Sequence, residues 1–245
     1  MLHVDQHDRV RVLTLDDPDK RNALTAALVD EIVVAIEAAE ADDGVGAIVV
    51  TGAPPAFCSG ADTANLTTIG QGGDSGSVRS LYDGFLRVRD CVLPTVAAVN
   101  GPAVGAGFNL ALACDVRLVA HSGRFDTRFA KIGLHPGGGH VWMLEREIGP
   151  QAAAAMVLFG ERVDSEHAVE IGLAWRRVPD AQLLHEAVAL ASAAAELPRE
   201  LAQSVKATLR ETPWRADFEA AVAVELERQR ESFASGEVAR RLRDG

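Results

Sequence analysis

The sequence predicts an α/β fold with parallel strand pairing and a helical C-terminal end. Three observations predict it. Val45 to Thr51, Thr95 to Val99 and Val116 to Ala120 are short apolar runs, the pattern of strands covered on both faces. The last two flank a small-residue stretch, about Gly107 to Cys114, that suits a helix; strand, helix and strand in that order imply parallel pairing with a right-handed crossover. From about Leu183 onward, apolar residues recur at helical spacing only.

The elements follow in order. Val10, Val12 and Thr14 alternate with Arg11, Leu13 and Leu15 as in a strand, which Asp16, Asp17 and Pro18 end. Thr25 to Ala41 is an amphipathic helix with Leu28, Ile32, Ala35, Ile36 and Ala39 on one face, stopped at Asp42-Asp43-Gly44. Gln151 to Phe159 reads as a further helix. Ser165 suits the cap of a short helix that Gly172 ends. In the tail, Leu183, Leu184, Ala187, Val188, Leu190 and Ala191 form one apolar stripe; Leu201, Val205 and Leu209 form a second, and Phe218, Val222 and Leu226 a third. These helices are either an oligomerisation element or a layer packed on the chain's own core. Thr67 to Ser77, rich in Gly, Ser and Thr, is either a flap or a plain surface loop.

The chain has 245 residues, enough for one large domain without staples, or for a core with a helical appendage. Aromatic content is only 5%, so the core is built from Ala, Val and Leu. A net charge of −11 argues against nucleic acid and anionic membranes as partners, but not against an anionic small molecule in a local pocket. The three cysteines, Cys58, Cys91 and Cys114, lie apart in apolar contexts and read as buried thiols of a reducing compartment. Met1 to Val10 lacks the apolar segment of a signal peptide, and the expected location is cytoplasmic. Cys91 to Cys114 carries no charge, but its prolines, asparagines and glycines make it a strand, turn and helix rather than a membrane span.

Two glycine-marked turns follow two of the apolar runs. They are Ala56-Phe57-Cys58-Ser59-Gly60-Ala61-Asp62 and Asn100-Gly101-Pro102-Ala103-Val104-Gly105-Ala106-Gly107-Phe108-Asn109-Leu110. Small residues let a ligand approach the backbone. The second turn leads straight into a helix, so free N–H groups and the positive end of the dipole face it. Two such N–H groups meeting at one oxygen make an oxyanion hole. Either turn alone is also an ordinary strand-to-helix connection. Leu110 stands where a dinucleotide fingerprint needs its third glycine, and no GxxxxGK[ST] occurs, so an NAD- or ATP-binding fold is disfavoured.

The combination resembles the crotonase, or enoyl-CoA hydratase/isomerase, superfamily. Lys20-Arg21-Asn22-Ala23-Leu24, Phe57 to Asp62, Pro94 to Gly101, Cys114-Asp115 and Gly133-Leu134-His135-Pro136-Gly137-Gly138-Gly139 carry the resemblance over nearly the whole chain. It implies a crotonase-like spiral of repeated ββα units over residues 1–190. It implies a helical region, 191–245, that builds homotrimers, often paired into hexamers. It implies oxyanion donors at the N–H groups of Ala61 and Ala106. It implies a path for the adenine and pantetheine of coenzyme A along Lys20, Arg21, Ala23 and Leu24 and along Ser59, Asp62 and Thr63, with Arg21 suited to a phosphate. Coenzyme A enters as part of a thioester substrate; no separate cofactor and no metal are expected.

The family's hydratases use two glutamates on one water. The resemblance places these at Asn109 and Phe129, neither of which is acidic. An amide can orient a water but cannot act as a general base. Candidates to move a proton are Asp126, which Arg128 could instead hold ionised, and His135 in the glycine-rich loop. His140 reads as a structural histidine, and Trp142 as a lining of the core or the acyl tunnel. Two functions stay open at this point. One is an acyl-CoA enzyme of the hydratase or isomerase type with a non-glutamate acid/base. The other is a binding protein that keeps the thioester site and has no turnover, acting as carrier or sensor.

Overall fold

The computed structural model describes residues 1–62, 76–212 and 218–234. Strand β1 (Leu2–His7) turns back through Asp8 and pairs antiparallel with β2 (Val10–Leu15). The sequence pattern showed β1 as no strand because its residues are polar. It is an exposed edge strand, where water covers one face and apolar alternation is not required. Thr25 accepts a hydrogen bond from Leu28 N and caps α1 (Ala26–Ala41). Then follow β3 (Ala47–Gly52), α2 (Gly76–Asp90) and β4 (Thr95–Val99). Next come β5 (Pro102–Val104), α3 (Ala106–Ala113), β6 (Val116–Ala120) and β7 (Arg124–Asp126).

Helix α4 (His140–Val157) starts eleven residues before the predicted one at Gln151. It is two helices joined at Gly149, whose φ of 75° breaks the ladder, with Pro150 starting the second. The first half went unpredicted because Glu145, Arg146 and Glu147 interrupt its apolar face. Next come β8 (Val163–Asp164), α5 (Ser165–Glu170) and β9 (Arg176–Val178). The cap of α5 is Asp164, which accepts from Glu166 N and His167 N, and not Ser165 as expected; the Ser165 hydroxyl bonds His121 O and receives Arg177 Nε instead. The described tail is helical: α6 (Leu183–Ala195), α7 (Arg199–Glu211) and α8 (Phe218–Ala234).

Six strands form one sheet in the order β1-β2-β3-β4-β6-β9, parallel apart from β1. Three short strands, β5-β7-β8, form a second. Thus β4, β5 and α3 make a strand–strand–helix unit, and β6, β7 and α4 repeat it. Because side chains alternate across a strand, the large sheet feeds two cores. Val10, Val12, Ala47, Val49, Val96, Ala98, Leu118 and Ala120 meet Leu183, Ala187, Ala191 and Ala195 of α6. Leu13, Leu15, Ile48, Val50, Ala97, Val99 and Val119 face the core that includes α1 and α3. Each fully buried Leu, Ile or Val contributes about 1.5–3 kcal/mol. The predicted stripe on α6 is confirmed at Leu183, Ala187 and Ala191, whereas Leu184 is exposed. The expected division at residue 190 falls inside α6, which closes one face of the sheet.

All eight residues of α3 are buried. Its small residues make this possible, and they fix where its first turn lies. Among the described residues, no helix is long and apolar enough to cross a membrane.

Candidate active site

The loop Lys20–Leu24 is organised by Asn22. This residue is fully buried, adopts a left-handed backbone (φ 59°) and donates through Nδ2 to the carbonyls of Ala53 and Ala56, both at 2.8 Å. Its Oδ1 accepts from Asp17 N at 2.9 Å. Asparagine tolerates this backbone because its short amide bonds nearby chain. Sequence reading quoted Asn22 only as part of a motif and missed its structural role.

This loop is sewn to the turn after β3. Ser59 N donates to Arg21 O, and Ser59 Oγ donates to Lys20 O. Leu24 N donates to Gly60 O at 2.8 Å, and Asp62 N to Leu24 O at 3.3 Å. Lys20 Nζ pairs with Asp62 at 3.2 Å. Six of the predicted binding residues, Lys20, Arg21, Ala23, Leu24, Ser59 and Asp62, therefore lie in one stitched patch. Residues 63–75, with Thr63 and most of the Gly/Ser/Thr-rich segment, lie outside the described residues.

The parallel bridge between Leu24 and Ala61 uses the carbonyl of Gly60 and the N–H of Asp62. In a strand, successive peptide groups alternate in direction, so the N–H of Ala61 points away from Leu24. Gly60, at φ 99°, lies against the second turn: a Cβ there would stand 2.7 Å from Val104 O and 3.5 Å from Ala106 N. Only glycine suits both the backbone and the contact. Val104 N donates to Cys58 O, and Cys58 also bridges Ala103, which holds the two turns side by side.

Ala106 is the first residue of α3, and its N-cap Gly105 offers no side-chain hydrogen bond. The N–H groups of the first turn have no acceptor within the helix, and they carry the positive end of its dipole. Gly107 allows this packing, since a Cβ on it would fall 2.2 Å from Cys58 O.

Asn109 lies three residues along α3 from Ala106, on the same face. It is buried; its Nδ2 donates to Gly137 O at 3.0 Å and its Oδ1 lies 2.6 Å from His140 Nδ1. His140 is also buried, packed edge-on to Phe108 (5.3 Å between centroids) and Phe129 (5.0 Å). Burial holds its pKa down, to about 4, so the ring is neutral at pH 7. Phe129 is half-buried, and its ring end lies 3.9 Å from where a Cβ of Gly105 would be. The structure thus gathers Ala106, Asn109, Phe129 and His140.

The other candidates sit differently. Asp126 is buried, accepts from Arg128 N, and pairs with Arg162 at 3.0 Å and Arg128 at 3.6 Å. Its backbone carbonyl receives Gly105 N. His135 is exposed, with Nδ1 2.8 Å from Pro136 O. Trp142 faces outward beneath Arg146 and Arg89, at 3.7 and 5.3 Å from its ring centre. It lines a cleft of about 860 Å³ with Leu112, Lys206 and Leu209, apart from the Asn109 group. Burial pushes the thiols of Cys58 and Cys114 up to about 12 and that of Cys91 to about 11, so none is a thiolate at pH 7. Among the described residues, no three His, Cys, Asp or Glu side chains are grouped so as to hold a metal ion.

Known proteins share this architecture and sequence. The probable enoyl-CoA hydratase echA14 of Mycobacterium tuberculosis is 49% identical over 250 residues, covering 99% of this chain and 95% of that protein. The 2,3-dehydroadipyl-CoA hydratase of Escherichia coli is 34% identical over 232 residues, covering 95% and 88%. The crystal structure of an enoyl-CoA hydratase from Polaromonas sp. JS666 superimposes with a TM-score of 0.91 at 26% identity, covering 99% of this chain and 97% of that one. The sequence profile described as Enoyl-CoA hydratase/isomerase matches residues 5–241. The chain belongs to the enoyl-CoA hydratase/isomerase family, the crotonase superfamily.

Proposed function

We propose that this protein is an acyl-CoA enzyme that hydrates an enoyl thioester. It holds the thioester oxygen between the backbone N–H groups of Ala61 and Ala106. The observation that supports this reading is the close approach of Gly60 to Val104 and Ala106, with Ala61 next in chain to the one and Ala106 opening α3. Negative charge grows on the thioester oxygen as a nucleophile adds to the conjugated bond, and donors already in place stabilise that charge. The stitched patch of Lys20, Arg21, Ala23, Leu24, Ser59 and Asp62, continued by Thr63, receives the coenzyme A portion. The positions of the family's two glutamates hold Asn109 and Phe129, so proton transfer falls to another group. No separate cofactor takes part.

The exposed Val205, Leu209, Phe218, Val222 and Leu226 on α7 and α8 support self-association into a trimer or hexamer through the C-terminal helices. Sedimentation of the purified chain measures this directly.

The enzyme reading is tested with crotonyl-CoA, following loss of the conjugated absorbance and weighing the product. A product one water heavier is expected. A second reading, a carrier or sensor without turnover, is favoured by the full ion pairing of Asp126 and the exposure of His135. Tight binding of crotonyl-CoA and of its saturated analogue, without conversion, would select it.

A further inference from the structure

A buried histidine nitrogen has no partner among the described residues, and the bonds around it fix which nitrogen that is. Gly137 O can only accept, so the Asn109 amide must turn its NH₂ toward it. Asn109 Oδ1 then faces His140 Nδ1, and an oxygen can only accept there, so Nδ1 carries the proton. The ring is neutral, which leaves a lone pair on Nε2. Among the described residues this Nε2 is buried with no hydrogen-bond partner. An unmade bond of this kind is costly, and such groups in folded proteins call for an explanation.

The surroundings say what the function is. Three residues of helix, about 4.5 Å of axial rise, separate Asn109 from Ala106. His140 is tied to Asn109, and Phe129 stands between its ring and Gly105. Nε2 lies on the side of the ring away from Asn109 and is sealed from solvent, so an acyl group and its water meet it only where Phe129 gives way.

Building on the hydratase reading above, we propose that His140 is the proton carrier of the reaction, with Asn109 as its positioning residue. The acyl group reaches it past Phe129. Nε2 accepts a proton from water as the water oxygen bonds to the β-carbon of the enoyl group. The π electrons move to the thioester oxygen, held by Ala61 N–H and Ala106 N–H. The enolate then collapses, and its α-carbon takes the proton back from Nε2. Water is added across the double bond, the imidazole is regenerated, and no oxidant or reductant is needed. An imidazole held near 4 has about the basicity of an ordinary carboxylate, which suits this task. Its neighbours are the Phe108 and Phe129 rings and the Asn109 amide, itself bonded to the Gly137 carbonyl, and burial alone sets its shift.

The test uses the full chain and His140→Gln, with butyryl-CoA, which has no double bond to hydrate, as a binding probe. In His140→Gln, crotonyl-CoA hydration should fall at least about 10²-fold in kcat. Butyryl-CoA affinity and the melting temperature should stay close to wild type. Exchange of the α-hydrogens of butyryl-CoA with deuterated water, read by mass, is a second measure of proton transfer and should fall in parallel. In wild type the acid limb of kcat/KM should lie near pH 4 rather than near 6.5. Retained hydration in His140→Gln would overturn the role of His140 and leave the hydratase reading standing. So would a wild-type limb near 6.5. A wild-type protein that binds butyryl-CoA and neither hydrates nor exchanges would overturn both and select the carrier. Failure to bind any CoA ester would remove the acyl-CoA reading itself. If His140→Gln does not fold, His140→Asn with the same two measurements decides.

Discussion

Asp126 and His140 are both buried titratable side chains tied to the Gly105–Ala106 turn, Asp126 directly and His140 through Asn109, whose N donates to Gly105 O, and they are satisfied to different degrees. Asp126 supplies its backbone carbonyl to Gly105, and its carboxylate is taken by Arg128 and Arg162. His140 has one nitrogen bonded to Asn109 and one with no partner among the described residues. A carboxylate with two cations has little left to offer a substrate. A neutral imidazole in an apolar pocket has one lone pair, with a fixed direction. The difference teaches that the type of a residue in a sequence says less about its chemistry than how many of its bonds are already spent. Asp126 looks the better base on paper, and the packing gives the vacant lone pair to His140.

The largest expected effect breaks the element to which both groups are tied. Ala106→Pro removes one N–H at the first position of a helix, where proline is tolerated. The fold should persist, since far-ultraviolet circular dichroism and melting temperature depend little on that orphan donor. The kcat for crotonyl-CoA should fall about 10²–10³-fold, as expected for loss of one oxyanion donor worth about 3 kcal/mol. A variant that folds and keeps wild-type turnover would show that Ala106 N–H does not hold the thioester oxygen.

The next effect sharpens the contrast in charge. The folded-state pKa of His140 is about 4, below the ordinary value of 6.5, because burial penalises the cation. The unfolded chain therefore takes up a proton between these values while the folded chain does not. This contribution to stability is fully present above 6.5 and is lost as pH falls toward 4, to a total of about 3 kcal/mol. Carboxylates also titrate there, so the comparison needed is urea unfolding of wild type and His140→Gln at pH 7, 5.5 and 4. The wild type should lose about 3 kcal/mol more than the variant across that range. Parallel losses would mean that His140 is not held neutral.

The sequence made the scaffold legible and the site only partly so. Strands buried on both faces announce themselves as apolar runs, so β3, β4 and β6 were readable, as was the amphipathic face of α1. The turns at Gly60 and Gly107 were readable because a close backbone approach excludes a Cβ. Polar β1 was hidden because an exposed edge strand needs no apolar alternation. The first half of α4 was hidden behind its charged residues. The pairing of Asn109 with His140 spans 31 residues and depends on Gly138 and Gly139 both adopting left-handed backbones, with φ of 65° and 78°. A glycine run before a histidine is a visible signal, but the direction of the resulting turn is set by packing. For the same reason Trp142 was expected in the core or acyl tunnel; its ring lies on the outer face of α4 between two arginines.

The smallest expected effect isolates Asp126. Removing a carboxylate from a fully buried ion pair costs about 3–5 kcal/mol, because the remaining cation cannot be rehydrated. Here the cations can be: Arg162 and Arg128 are 58% and 49% exposed, whereas the Asp126 side chain is 8% exposed. Much of the loss is therefore returned by solvent, and Asp126→Asn should cost only about 1–2 kcal/mol in urea unfolding. The asparagine oxygen can still accept from Arg128 N, so the turn that presents Ala106 should keep its shape, and kcat for crotonyl-CoA should stay within about threefold of wild type. His140→Gln should lose turnover and keep its fold at pH 7, while Asp126→Asn should lose some stability and keep turnover. The reverse pattern would move the proton carrier from the neutral ring to the paired carboxylate, because an Asp126 that acts as base must release its arginines when substrate binds, and a change to asparagine would then abolish turnover.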